Sequence, residues 1–408
     1  MTKSTGEDEV WCGVPAKLIK KENSKYNTKV KRNNKHRILF IAPLPPPVHG
    51  SAVVSQQIKT NRVINELFLC DWVNLSTSRR MDEIEKITIT KPFRMLGALM
   101  KTLWLLTTRH YSLCYLAITC HGKPFLKDMP FALLCKLFHK KLLIHQHNKG
   151  MSNDVDRWPY RWLLPMVYRN TKVILLSWCL FPDIEKVVRK EDVIICPNGI
   201  NIIDSGIEDN SSELHVYNKD LAQTPRLLFL SNLIESKGVI VLLDALKILM
   251  ERGFSFQCDF VGGETKEIDA KRFAEEVNNR GLNRVAFYKG KKYGKEKWSV
   301  FKQSDIFVFP TYYENETFGL VILEAMAHRL PVVTTNEGGI PDIVVHGKNG
   351  FISERKNPES LADCIAVLLN DKNLRLEMGD EGYRILKERF TEKHFEETIL
   401  EILNRMCY

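Results

Sequence analysis

Short apolar runs alternate with helical or loop segments twice along this 408-residue chain, and a polar stretch divides the two series. The first series is Arg37–Ala42, Leu113–Ile118, Leu142–His145, Lys172–Ser177 and Val193–Pro197. The second is Arg226–Ser231, Gln257–Gly262, Arg284–Lys289, Ile306–Pro310 and Pro331–Thr335. Short runs of this kind read as parallel strands buried on both faces. Helices fall between them. In Val239–Arg252, Leu242, Leu243, Leu246 and Leu249 share one face, and Gly253 supplies a stop. Between the series, Asp204–Thr224 holds few large apolar residues and reads as an interdomain linker. Two successive alternations predict an α/β chain of two doubly wound domains, and ligands in such sheets bind beyond the carboxyl ends of the strands. The chain closes on a helix that Thr391 caps, with Phe395, Ile399, Ile402, Leu403 and Met406 at helical spacing.

The bulk numbers fit two ordinary domains. A hydrophobic content of 44% over this length is enough to give each a core. Met1–Val10 is polar and acidic and does not read as a signal peptide. The longest apolar stretch, Met95–Thr108, is interrupted by Lys101 and is too short to span a bilayer. Ten cysteines lie singly, with no Cys-x-x-Cys and no metal-ligand spacing, and read as buried thiols of a reducing cytosol. Charge is uneven. Residues 1–205 hold 32 Lys+Arg against 17 Asp+Glu, a net of +15, whereas residues 206–408 hold 27 against 32, a net of −5. The first half attracts anions over a reach of about 8 Å at physiological salt. Anionic lipid, a lipid diphosphate and nucleic acid all fit that field, as does a generic basic surface.

Residues 1–35 are polar, carry nine Lys+Arg and lack a long apolar period, so they read as a flexible extension. Within them Gly13-Val14-Pro15-Ala16-Lys17-Leu18-Ile19-Lys20 resembles the last turn of hexapeptide-repeat acyltransferases, although no hexapeptide repeats precede it. That resemblance implies a remnant of a neighbouring or fused gene; a chance match in a floppy tail is the other reading.

The most informative stretch runs from Pro310 to Ala327. A strand ends at Pro310, a loop carries Glu314 and Glu316, and a helix begins near Phe318. Free amides at a helix start bind phosphate, helped by the dipole. Gly319 lets a ligand approach the backbone. Glu324 lies eight residues beyond Glu316, about two turns into the helix. One carboxylate near the phosphate and another farther back can accept hydroxyl donors from two sugars of one ligand. The bland alternative is a solvated loop glutamate and a salt-bridged helix glutamate. With Asp305, Pro310, Phe318-Gly319 and Glu324-Ala-Met-Ala in place, the stretch resembles the Glu-x7-Glu signature of group 1 (family 4) retaining glycosyltransferases, which have the GT-B fold: two Rossmann-like domains facing a cleft. The resemblance covers roughly residues 37–390. It implies that Glu316 contacts the donor sugar, that Glu324 binds the ribose, and that Phe318, Gly319 and Leu320 offer backbone amides to the sugar and diphosphate.

Further motifs carry the same resemblance. Leu228–Gly238 runs from a strand into a loop and a helix. There Lys237 stands where the family places a diphosphate lysine, but Asn232 occupies the position of an expected arginine. An amide donates a hydrogen bond and brings no charge, so a different cation is needed or the second phosphate is held otherwise. Gly262-Gly263 ends a strand, and Glu337-Gly338-Gly339-Ile340-Pro341-Asp342 resembles the family's Gly-Gly-x-Pro-Glu turn with Asp342 for Glu; both also read as plain tight turns. In the first domain, Pro45-Pro46-Pro47-Val48-His49-Gly50-Ser51 leads from a strand into the helix Ala52–Lys59, at a place where the family often has Gly-Gly to meet the diphosphate; Gly50 is the one that matches. His145-Gln146-His147-Asn148 follows another strand. In the family a histidine here lies near the transferred sugar, and His147 is the better candidate because His145 belongs to the strand. The pair lacks a third ligand for a metal. Pro197-Asn198-Gly199-Ile200 resembles the turn that closes the family's first domain. Arg157-Trp158-Pro159-Tyr160-Arg161-Trp162, with Arg79, Arg80 and Arg94, suits a lipid–water interface and equally suits packing under a lid.

Together these readings imply a domain order of extension 1–35, acceptor domain 36–205, linker 206–223, nucleotide-sugar domain 224–385 and a helix 386–408 crossing back. The expected activity is transfer of a sugar from a nucleoside diphosphate sugar to a glycan or lipid-linked acceptor, with retention, in bacterial surface polysaccharide biosynthesis. The catalytic candidates are Glu316, Lys237 and His147; the donor-binding candidates are Glu324, Phe318, Gly319, Leu320, Asn232, Gly50 and Gly262. No metal or separate cofactor is expected. The expected location is cytoplasmic, peripheral on the anionic inner face of the cell membrane, with no nucleic acid bound. A non-hydrolysing sugar-nucleotide epimerase of the same fold is the nearest alternative, and a non-catalytic binder of anionic ligands is another. A nicotinamide oxidoreductase is disfavoured because prolines occupy the place of Gly-x-Gly-x-x-Gly after the first strand.

Overall fold

The computed structural model of the protein describes residues 35–46, 50–76, 90–202 and 224–408. The acyltransferase-like octapeptide at 13–20, Pro47–His49, Arg79, Arg80 and almost all of the linker stretch lie outside those residues.

Two six-stranded parallel sheets form the framework. The first contains β1 (Arg37–Ala42), β2 (Leu69–Asn74), β3 (Leu113–Leu116), β4 (Leu142–His145), β5 (Lys172–Leu175) and β6 (Val193–Ile195), in the spatial order β2-β1-β3-β4-β5-β6. The second contains β7 (Arg226–Leu230), β8 (Gln257–Val261), β9 (Ala286–Tyr288), β10 (Ile306–Phe309), β11 (Val332–Thr335) and β12 (Gly350–Ser353), in the order β12-β11-β10-β7-β8-β9. The central strands are buried on both faces, as continuous apolar runs require. Strand order reverses beside β1 in one sheet and between β7 and β10 in the other. At such a switch point the loops diverge and leave a crevice beyond the carboxyl ends.

Most strands end a residue or two short of the expected apolar runs. Two strands escaped the apolar pattern altogether, β2 and β12, and both lie at sheet edges.

Helix packing follows from apolar spacing. Val239–Glu251 buries Val239, Val241, Leu242, Leu243, Ala245, Leu246 and Leu249, each large side chain contributing roughly 1.5–3 kcal/mol. The terminal helix Glu392–Cys407 starts on Thr391, whose side chain accepts from the His394 amide. It buries Phe395, Ile399, Ile402, Leu403 and Cys407 in one cluster with Ile38, Phe40 and Tyr115 of the first sheet. The chain thus returns to the first domain. Ile200 accepts from the Glu392 amide and donates to the Phe390 carbonyl, both at 2.9 Å. Gly199 makes that crossing feasible, because a Cβ there would overlap the Thr391 carbonyl.

The helix Thr90–Thr108 is apolar on two faces. Thr102, Leu105 and Leu106 face the core, whereas Phe93, Leu96, Met100 and Trp104 form an exposed stripe at spacings of three and four. Trp158, Trp162 and Met166 form a second exposed stripe on and beside the helix Tyr160–Tyr168. Packing under a lid is therefore not what the Trp158–Trp162 cluster does. Among the described residues no helix is long and apolar enough to cross a membrane.

Candidate functional site

The switch point of the second sheet gathers two loops. The loop after β7 turns at Gly238, which has φ +90°, and lies so close to β10 that a Cβ would overlap the Pro310 carbonyl. The Tyr312 amide donates to the Ser236 carbonyl at 2.8 Å and ties the two loops together. Lys237 Nζ consequently meets Glu316 Oε2 at 2.6 Å, with both side chains mostly buried. The ammonium also lies 4.2 Å from the Tyr313 ring centroid. A carboxylate and a cation at one sheet edge can orient a sugar hydroxyl and neutralise a departing phosphate respectively.

The helix that follows is Leu320–Ala327, two residues later than the spacing suggests. Gly319 has φ +74°, a left-handed conformation that cannot continue into the helix, so it becomes the cap. No side chain caps it, and the amides of Phe318, Gly319 and Leu320 reach no carbonyl or side chain among the described residues. They are open donors two to four residues beyond Glu316 in the chain. The Phe318 side chain turns inward, buried against Phe390 at 5.8 Å between ring centroids. Its ring packs the core and leaves only its backbone for a ligand. Glu324, the fifth residue of this helix and so little more than one turn in where two were expected, pairs with Lys297 at 2.6 Å. Lys297 sits on the helix Gly294–Gln303, in no recognisable motif, and sequence reasoning missed it.

Glycines let the backbones close around this point. Gly262 lies against the Ser231 carbonyl, and the Asn232 side-chain oxygen accepts from the Gly263 amide at 3.2 Å. Gly338, at φ +56°, packs directly on the Glu316 carbonyl. Gly50 opens the helix Gly50–Thr60 in the first domain, exposed and with nothing within 4 Å of a Cβ position.

The two domains meet along the β4 loop and the turn after β11. The Thr317 hydroxyl donates to the His147 carbonyl at 3.1 Å. Ser177 donates to Asp342 at 2.5 Å. Buried Glu337 takes Lys149 from across the cleft and Arg355 from its own domain. The Glu337–Asp342 turn thus carries contacts between domains, a role its motif did not disclose. His147 is half-buried in the loop beyond β4, beside the seam. His145 is fully buried at the end of β4, with Nδ1 2.6 Å from the Tyr115 hydroxyl. Burial holds its pKa well below the usual histidine value, helped by neighbouring His147, so His145 stays neutral. Among the described residues no group of three or more His, Cys, Asp or Glu is placed to hold a metal ion.

Residues 215–385 match the family model of group 1 glycosyl transferases. The capsular polysaccharide biosynthesis glycosyltransferase CapM of Staphylococcus aureus is 29% identical over 51% of this chain and 53% of its own length. A D-inositol 3-phosphate glycosyltransferase of Corynebacterium jeikeium is 35% identical over 37% of each. This chain therefore spans about half or less of the length of these relatives. The solved structure of Anabaena HepE with UDP superposes with a TM-score of 0.68 at 18% identity, covering 91% of this chain and all of that one. A Rickettsia africae glycosyltransferase gives 0.67, also at 18%, over 91% and 99%. The protein has the GT-B fold, and its likeness to group 1 glycosyl transferases falls on the part of the chain that carries the second sheet.

Proposed function

We propose that the whole protein transfers a sugar from a nucleoside diphosphate sugar to a lipid-linked or glycan acceptor with retention at the anomeric carbon, in surface polysaccharide assembly. The observation that carries this reading is the pair of lysine-bound carboxylates, Glu316 with Lys237 and Glu324 with Lys297, beyond the carboxyl ends of β7 and β10. Glu316 orients the donor sugar, Glu324 accepts from the ribose, and Lys237 with the open amides at 318–320 takes the diphosphate. His147 approaches the sugar from the first domain. The acceptor hydroxyl oxygen bonds to the anomeric carbon on the face that the leaving group vacates. The bond from that carbon to the phosphate oxygen breaks, the phosphate takes the acceptor proton, and nucleoside diphosphate departs. The match to a capsular polysaccharide enzyme supports the pathway, and structural neighbours solved with UDP and with UDP-glucose support the donor class.

The exposed stripes Phe93–Trp104 and Trp158–Met166, on a half of net charge +15, favour a lipid-linked acceptor taken up at an anionic bilayer. Attachment is peripheral, on the cytoplasmic face. The deciding experiment is incubation of the purified protein with a panel of sugar nucleotides, with and without undecaprenyl-linked acceptors. Transfer or slow donor hydrolysis supports the reading. Conversion of the sugar nucleotide to its epimer without acceptor would replace it with the epimerase reading.

A further inference from the structure

Asn232 leaves the donor diphosphate one cation short of the group 1 pattern, and the structure offers a replacement from another strand. Lys291 follows β9, one strand beyond β8 at the same carboxyl edge. Its aliphatic chain lies across the face of Gly263, in the space that a Cβ would fill. Its ammonium is 3.1 Å from that Cβ position and Asn232 Oδ1 is 2.9 Å from it, so the two atoms lie no more than 6.0 Å apart. Gly263 is itself buried and held by Asn232 through its amide. The lysine ammonium thus lies within 6.0 Å of Asn232 Oδ1, over a glycine whose replacement by any larger residue would displace it.

Four lysines on neighbouring loops and helices are paired with carboxylates. Lys237 is bound to Glu316, Lys297 to Glu324, Lys292 to Glu296 at 3.5 Å and Lys289 to Asp259 at 3.6 Å. Among the described residues Lys291 holds no carboxylate within ion-pair distance. An uncompensated ammonium at a sheet's carboxyl edge is suited to an anionic ligand.

We propose that Lys291, with Asn232 as neutral hydrogen-bond donor, holds the second phosphate of the donor diphosphate in place of the arginine missing at position 232. The inference rests on the donor reading above. Lys237 then approaches the diphosphate from the β10 side and Lys291 from the β9 side.

Calorimetry on the full chain tests it with UDP, GDP, ADP and dTDP and with the corresponding nucleoside monophosphates. Lys291→Met should weaken the preferred diphosphate roughly tenfold or more and change its monophosphate by less than about threefold. Lys291→Arg should restore binding. Asn232→Arg alone should also weaken the diphosphate, because two cations then crowd one place; combined with Lys291→Ala it should recover most of the loss. Equal loss of mono- and diphosphate would assign Lys291 to the base or ribose and overturn the proposal. So would diphosphate binding unchanged by Lys291→Met in a protein whose thermal unfolding is also unchanged. If the wild type binds none of the four diphosphates, the donor reading fails and this inference fails with it.

Discussion

Lys237 and Glu316 stand 79 residues apart in the chain and meet at 2.6 Å, so the cation proposed for the leaving group is paired with the carboxylate proposed for the sugar. On the proposed roles, each releases the other when the donor enters. The ion pair keeps both charges partly satisfied in a mostly buried place until then.

That pairing predicts a split between binding and turnover. Lys237→Ala should lower turnover by roughly 10²–10³-fold, the cost of removing one preorganised electrostatic group. Glu316→Gln should lower turnover similarly, yet leave nucleoside diphosphate binding intact or tighter, because the lysine is freed. Steady-state kinetics beside calorimetry checks this; binding weakened in parallel with turnover by Glu316→Gln would contradict it.

Glu324 is expected to act on binding. Replacing it by Gln should weaken nucleotide affinity by ~1.5–3 kcal/mol, the range for a charge-assisted hydrogen bond. The variant also leaves Lys297 without its carboxylate. The loss should be smaller for a 2′,3′-dideoxynucleotide, which lacks the donors that Glu324 would accept, and an equal loss for both would remove the ribose role.

Gly338→Ala should uncouple position from affinity. The glycine has φ +56° and rests on the Glu316 carbonyl, so a methyl group there must displace that backbone. A shift of about 1 Å at a reacting centre can cost on the order of 10²-fold in rate. Turnover should therefore fall while nucleotide affinity stays near wild type. Full activity in the alanine variant would mean that Glu316 does not need to be held where it is.

Membrane binding should depend on both exposed stripes and on charge. Each basic residue near an anionic surface contributes roughly 1 kcal/mol, and buried aromatic rings add to it. Co-sedimentation should show binding to phosphatidylglycerol vesicles at low salt, little to neutral vesicles, and weakening as salt shortens the reach of the charges. Trp158→Ala with Trp162→Ala should reduce binding markedly, and Phe93→Ser with Trp104→Ser should do the same. Failure to bind either vesicle type would favour a soluble acceptor.

Among the described residues, the amino-acid order alone disclosed ten of the twelve strands, the start of the terminal helix at Thr391 and the eight-residue spacing of Glu316 and Glu324. These are local signals: a buried parallel strand is a short apolar run, a cap is one side chain and the amide it accepts from, and a spacing is read directly from residue order. Edge position alone did not hide β2 and β12, because the edge strands β6 and β9 were legible; β2 keeps a mostly half-buried pattern that reads as polar loop, and β12 is a four-residue run that opens on Gly350 and closes on Ser353. Lys297 against Glu324, Lys149 against Glu337 and Lys291 against Gly263 were decided by the tertiary structure. Each depends on which strands become neighbours and how closely their loops approach, and that order is set by burial across the whole sheet and not by any window of sequence.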